Sequence, residues 1–319
     1  MFKHSALVVA ALFAAVPAIA AQYPERPIRM IVPFAPGGGS DISARTMSTE
    51  LGQALGTTIV IDNRPGAGST LGADIASKAS PDGYTLFLGS ISMAFNAALY
   101  TKLPFHALRD FAPISLATEQ PNIIVIHPSV QAKTLQEFVA LAKAQPGKMT
   151  YGSAGLGSGT HLAMEMLMMS QNIKLIHVPY KGTGPAVAAL LGNETNAFMS
   201  TFASALPHVK SGRLRALAVT TKKRAATLPD VPTVEQSGVP GFEYATWYGV
   251  LAPSATPKPI IDKLNKAIVG VLSTPEMIER YAKQGVTAMP TTSAEFLKLF
   301  KNETEKWAKV VREAKIPQQ

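Results

Sequence analysis

Two stretches of one design constrain this chain more than anything else in it. In each, a short apolar strand runs into a glycine-rich loop that opens a helix. The first is Ile28–Val32 leading into Pro36-Gly37-Gly38-Gly39-Ser40-Asp41; the second is Thr150–Ser153 leading into Ala154-Gly155-Leu156-Gly157-Ser158-Gly159-Thr160-His161. Glycine lets backbone approach a ligand closely, and a helix N-terminus presents unpaired N–H groups with a partial positive charge, so each turn suits an anion. Either loop alone reads equally well as a tight turn of an α/β protein. Two of them in different halves of the chain point to a ligand gripped from both sides.

The surrounding pattern alternates strand and helix. A strand over 28–32, a helix over 42–55, a β-branched strand over 58–61, a helix over 70–79 and a strand over 84–88 make a βαβαβ series. That order predicts a parallel sheet with right-handed crossovers, whose ligands lie off the carboxyl ends of its strands. A second series follows: strands over 114–117 and 123–126, a helix over 135–144, a strand over 150–153 and a Met-rich helix over 162–170. It continues with a strand over 175–178, a helix over 186–191, and strands over 196–199 and 214–220. Met164, Met166, Met168 and Met169 read as adaptable core filler. The last segment, from a strand over 247–251 to helices ending near Val311, has no room for a third sheet and is expected to return to the first domain. The domains are therefore 22–122 with 246–319, and 123–245. Two chain crossings, near Gln120 and Tyr244, would form a hinge that sets the glycine loops face to face across a cleft.

At the N-terminus, Lys3, an apolar run over 6–16, Pro17 and Ala18-Ile19-Ala20 predict a cleaved secretory signal over residues 1–21. The apolar run is too short for a permanent membrane anchor. With no cysteine, the chain has neither disulfides nor a thiol for a lipid. A free protein of an exported compartment, the bacterial periplasm, is expected. Removing 21 of 319 residues leaves 298, enough for two domains, and a hydrophobic content of 47% excludes disorder. The net charge of +9 falls to +8 with Lys3 gone, but the basic residues are scattered. Their densest run, Lys222-Lys223-Arg224, lacks interleaved aromatics, which argues against nucleic acid.

Catalytic signatures are missing. His106, His127, His161, His177 and His208 include no helical metal pair, and no Gly-x-Ser-x-Gly elbow is present. The dinucleotide fingerprint fails because Thr160 stands where its third glycine belongs. A hydrolase using Ser158 and His161 is the enzymatic alternative, and it lacks an orienting acid nearby in sequence. No metal or cofactor is expected.

Several blocks, in order, carry a family resemblance. They include Val32-Pro33-Phe34-Ala35-Pro36-Gly37-Gly38-Gly39-Ser40-Asp41, Asn63-Arg64-Pro65-Gly66-Ala67-Gly68, Pro81-Asp82-Gly83-Tyr84-Thr85-Leu86, Tyr151-Gly152-Ser153-Ala154-Gly155, His177-Val178-Pro179-Tyr180-Lys181-Gly182 and Leu228-Pro229-Asp230-Val231-Pro232-Thr233. Over nearly all of its mature length the chain resembles the tripartite tricarboxylate transporter substrate-binding proteins, the extracytoplasmic receptors also called Bug proteins. The resemblance implies an α/β periplasmic-binding-protein fold of the type II-like, Venus-flytrap kind, with two doubly wound sheets and a two-strand hinge. It also implies a monomer that captures a carboxylate-bearing small molecule and hands it to membrane subunits of such a transporter. A sensor feeding a histidine kinase is the alternative, since both roles need the same ligand-driven closure.

By matching position, the resemblance puts Phe34, Ala35, Pro36, Gly37, Gly38, Ser40 and Asp41 on one lip and Ser158, Thr160 and His161 on the other. Ser90 and Asn96, and Thr201 and Phe202 in the second domain, are further candidates. Asp41 is expected to favour its helix N-terminus without touching the anion. His161 either donates to the ligand or caps its own helix. Leu190-Leu191-Gly192-Asn193-Glu194-Thr195-Asn196 departs from the family's usual acidic ending, and Ser200-Thr201-Phe202 offers no acid for an ammonium group. A ligand with carboxylates and no ammonium is expected, a di- or tricarboxylate or an aromatic carboxylate, with an apolar or aromatic middle resting on Phe34, Phe202 or Trp247.

Overall fold

A computed structural model describes residues 23–313; the signal expected over 1–21 lies outside them. In the first lobe, β1 (Ile28–Val32) sits between β2 (Ile59–Asn63) and β3 (Thr85–Ser90), parallel to both. The crossovers α1 (Gly39–Leu55) and α2 (Thr70–Ser77) make that direction possible. Ala44, Met47, Leu51 and Leu55 recur at helical spacing on α1 and are buried against the sheet. After β3 comes α3 (Ile91–Leu99), a helix the sequence reading does not contain. Its residues are buried almost all round, so they show no amphipathic period to detect.

One strand joins the lobes. The sequence predicts separate strands over 114–117 and 123–126; the structure has a single 16-residue strand, β4 (Phe111–Ile126). Pro121 interrupts the pattern because it cannot donate to a ladder, and it falls where β4 leaves one sheet for the other. Up to Pro121 the strand pairs with β9 (Ala245–Pro253); from Asn122 it pairs with β7 (Ala197–Thr201) and β8 (Arg215–Val219).

The second lobe repeats the first. After α4 (Leu135–Ala144), β5 (Thr150–Ser153) lies between β6 (Ile176–Pro179) and β7, parallel to both. The intervening helices are α5 (Gly159–Gln171) and α6 (Thr183–Leu191), and α7 (Phe202–Lys210) follows β7. Pro207 hid α7 from the sequence reading, yet the structure accommodates it inside the helix. In both lobes the first strand of the series takes the middle position, so each glycine loop leaves the centre of its sheet. The chain then returns through β9, which inserts antiparallel between β3 and β4. α8 (Lys258–Leu272), α9 (Pro275–Lys283), the short β10 (Thr287–Ala288) on β4, and α10 (Ser293–Glu313) complete this side. At the crossing, the Asn122 amide donates to Thr220 Oγ1 at 2.8 Å, and Thr246 Oγ1 donates to Asn122 Oδ1 at 2.7 Å. The two passages are thus tied to each other as well as to their sheets.

Candidate functional site

Five helices begin at the cleft between the lobes: α1 and α3 from the first, α5, α6 and α7 from the second. Each helix leaves its first N–H groups without intrahelical partners. In α3 and α5 a serine answers part of this need, Ser90 Oγ accepting from the Ser92 amide at 3.3 Å and Ser158 Oγ from the His161 amide at 3.3 Å. The N-caps of α1, α6 and α7 are Gly38, Gly182 and Thr201, and none of them makes a side-chain cap. None of the three is capped by its own N-cap residue, although the Ala203 amide of α7 donates to Gln120 Oε1 at 3.0 Å and Asp41 lies in the first turn of α1; helix N-termini grouped in this way favour an acceptor between them.

Between them lies a buried cavity of about 20 Å³, room for one small polar group. Its lining includes the hydroxyls of Ser40, Ser90, Ser92, Ser158, Thr160, Thr183, Thr201, Thr246 and Tyr248, with Phe34, Ala154 and Gly159, and no charged side chain. Tyr248 contributes a hydroxyl whose pKa is driven well up by burial, so it remains a donor. Gly39 is required by proximity: a Cβ there would lie 2.5 Å from Gln120 Nε2 and 2.7 Å from Tyr248 Oη. A wider hollow of about 500 Å³ between the α3–β4 loop and α10 is open to solvent and is walled by no helix N-terminus.

The lobes are shut over this cavity. The Ala35 amide donates to the Lys181 carbonyl at 3.0 Å, Ser204 Oγ to the Gly37 carbonyl at 3.1 Å, the Gly159 amide to Ser92 Oγ at 3.1 Å and Tyr100 Oη to the Leu156 carbonyl at 3.3 Å. The seam is made of glycine against backbone. A Cβ on Gly68 would overlap the Leu156 carbonyl, one on Gly184 the Pro36 carbonyl, and one on Gly182 would sit 2.8 Å from the Ala35 nitrogen.

The candidate residues fall into distinct places. Phe34, Ser40, Ser90, Ser158, Thr160 and Thr201 line the cavity. Ala35, Pro36, Gly37 and Gly38 lie on the interlobe seam, the last with Thr183 Cβ 3.4 Å from its built Cβ. Asp41 stands behind the first loop, accepting from the Gly37 amide at 3.0 Å, Arg45 Nε at 2.9 Å and Asn63 Nδ2 at 3.0 Å. Asn96 donates to the Gly68 carbonyl at 3.0 Å and abuts Gly157. His161 accepts from the Gly157 amide at 3.4 Å and stacks on His177. The Phe202 ring belongs to the second lobe's core and presses on Gly285, and Trp247 packs edge-on against Phe296 and Phe300 at 5.8 Å. Neither ring reaches the cavity, because each points to the opposite side of its element. Ser92, Thr183, Thr246 and Tyr248 line it without having been singled out. Ser92 and Thr183 sit in the first turn of helices after strands, a position the sequence exposes; Thr246 and Tyr248 come from β9, whose place only the sheet decides.

Two α/β lobes joined by crossing strands, with a cavity at the carboxyl ends of both sheets, define a bilobal solute-binding protein of the periplasmic-binding-protein fold. The comparisons with known proteins give the family. Residues 43–316 match the model of the tripartite tricarboxylate transporter family receptor, and the chain belongs to that family. It is 38% identical over 301 residues to Protein BugT of Bordetella pertussis, covering 94% of this chain and 92% of that protein. Among solved structures, an R. palustris protein with adipate is 29% identical, with a TM-score of 0.90 over 93% of this chain and 100% of that one. MatC from Rhodopseudomonas palustris, solved with bound malate, is 32% identical, with a TM-score of 0.86 over 91% of this chain and 100% of that one. Receptors of this family are periplasmic, and no helix among the described residues is long and apolar enough to cross a membrane.

Proposed function

We propose that this chain captures a small dicarboxylate without an ammonium group by closing its lobes, and delivers it in the periplasm to membrane subunits of a tripartite tricarboxylate-type transporter. The carrying observation is the convergence of five helix N-termini, those of α1 and α6 without side-chain caps, on a cavity lined by hydroxyls and no charge. A carboxylate accepts several hydrogen bonds at once, and such charge-assisted bonds are roughly twice as strong as neutral ones. Each helix terminus contributes about 0.3–1 kcal/mol, rising towards about 2 kcal/mol in partly buried geometry. Several together supply a large part of the roughly 8 kcal/mol that micromolar affinity needs. An ammonium would meet the positive ends of these helices with no acid among the lining residues to pair it.

Hinge closure is part of this proposal: the lining residues are buried and leave room for one small polar group, so the two lobes would part for a dicarboxylate to enter and leave. The adipate and malate seen on family members support a dicarboxylate as ligand class. A thermal-shift series with adipate, malate, succinate and aspartate tests this. A dicarboxylate at about 100 times its Kd should stabilise the fold by roughly 2.7 kcal/mol, and Ser158→Ala should weaken that ligand about tenfold or more. Preference for aspartate over succinate, or no response to any carboxylate, would overturn the reading.

A further inference from the structure

Beneath the second glycine loop lies a cluster of titratable side chains that the anion grip itself does not use. Tyr151 of β5, His177 of β6 and His161 of α5 form a three-ring stack. The His161 and His177 centroids are 4.4 Å apart at 22°, and those of His177 and Tyr151 are 4.9 Å apart at 16°. Tyr151 Oη donates to Glu165 Oε1 at 2.5 Å, and His161 Nε2 faces the same oxygen at 3.8 Å. Two amides of the loop end on this cluster. Gly157 N–H donates to His161 Nδ1 at 3.4 Å, and Gly155 N–H donates to Ser153 Oγ at 3.0 Å, which in turn is 2.6 Å from His177 Nε2.

The bond from Gly157 prescribes the protonation of His161. Nδ1 of His161 accepts a hydrogen bond only while it keeps its lone pair, so the ring proton sits on Nε2, towards Glu165. Ser153 Oγ has two lone pairs and can accept from Gly155 whichever way its bond to His177 Nε2 runs, so His177 does not control that amide. An imidazolium at 161 would set N–H against the N–H of Gly157.

We infer that His161 is a positioning residue that holds the Gly157 amide in place only while its ring is neutral, with His177 stacked on it, so that acid loosens the second glycine loop and weakens the ligand. The inference rests on the proposed reading of that loop as half of the anion grip. Burial supports it by pushing both imidazoles down to about 4. The groups that face the rings are Glu165 from α5, Tyr151 and Ser153 from β5, and each ring the other; from the first lobe, Asn96 and Tyr100 of α3 meet the loop. Of these only Glu165 carries a charge that favours imidazolium. Its carboxylate is engaged by Tyr151 Oη, and desolvation outweighs it.

The test has two independent readings. In the mature protein labelled with 15N-histidine and 15N-glycine, titrated by NMR, His161 should stay neutral with its proton on Nε2 down to about pH 4. The Gly157 amide should move in the same titration. Titration of His161 near its ordinary value with Gly157 unmoved overturns the inference, whether or not any carboxylate binds. Calorimetry with adipate then compares wild type with His161→Asn, whose Oδ1 can accept from Gly157 and cannot titrate. The ligand's own protonation cancels between them. Wild-type affinity should fall about twofold more than that of the variant between neutral pH and pH 4, where the ring is half protonated; equal falls would count against the inference. Failure of all carboxylates to bind would remove the ligand reading and leave the NMR result to decide this one.

Discussion

Asp41 braces the first glycine loop from behind. Its side chain is almost fully buried, and its two oxygens take hydrogen bonds from Gly37, Arg45 and Asn63, while Asn63 Nδ2 also donates to the Phe34 carbonyl at 2.9 Å. The carboxylate thereby fixes the loop between the cavity-lining residues Phe34 and Ser40, and Arg45 balances its charge. The histidines under the opposite loop have a measurable consequence for stability at the same scale. Burial holds His161 at about 4 in the folded state against an ordinary 6.5 in the unfolded chain, so the unfolded chain binds more protons between those values. Its contribution is complete above about pH 6.5 and is lost as pH falls towards 4, amounting to about 3 kcal/mol for a shift of this size. The unfolding midpoint should therefore decline steadily over that window, and less in His161→Asn. A flat profile from pH 7 to pH 4 would contradict buried neutral imidazoles.

At the scale of elements, α10 is held to β9 by aromatic packing. Phe296, Phe300 and Trp307 are buried, Trp247 lies edge-on to the first two, and the Phe296 ring occupies the space a Cβ at Gly249 would need. Because Trp307 also meets Phe95 of α3 at 6.4 Å and Tyr244 at 6.0 Å, α10 clamps the return strand to the rest of the lobe. Phe296→Ala should cost about 3–5 kcal/mol in urea unfolding. Gly249→Ala should cost about 1–3 kcal/mol by overpacking. Neither site touches the cavity, so ligand affinity in the folded fraction should change little; a large loss there would show that α10 also sets the cleft.

For the whole molecule, the closed form depends on how near two backbones can come. Gly184 lies in the first turn of α6 with an ordinary backbone conformation, so alanine fits its own lobe, yet the added Cβ would overlap the Pro36 carbonyl of the other. Gly184→Ala should leave thermal stability without ligand nearly unchanged, lower dicarboxylate affinity about tenfold or more, and keep the radius of gyration from contracting when ligand is added. Small-angle scattering that shows full compaction in this variant would mean the seam is not the limit of closure.

The order of residues alone determined the two βαβαβ series and the positions of both glycine loops, because apolar periodicity and glycine are local signals. It also placed Asp41 at a first helical turn. What it concealed were features set by partners distant in sequence. α3 is buried all round and has no period, β4 runs through Pro121 because two sheets hold its ends, and Thr246 and Tyr248 reach the cavity only because β9 inserts between β3 and β4. The directions of Phe202 and Trp247 were likewise fixed by which core each ring could enter. Local chemistry therefore named Ser40, Ser90, Ser158, Thr160 and Thr201, and only the tertiary structure decided which hydroxyls meet, since those lining the cavity come from six separate stretches of chain brought together by the packing of the sheets that carry them.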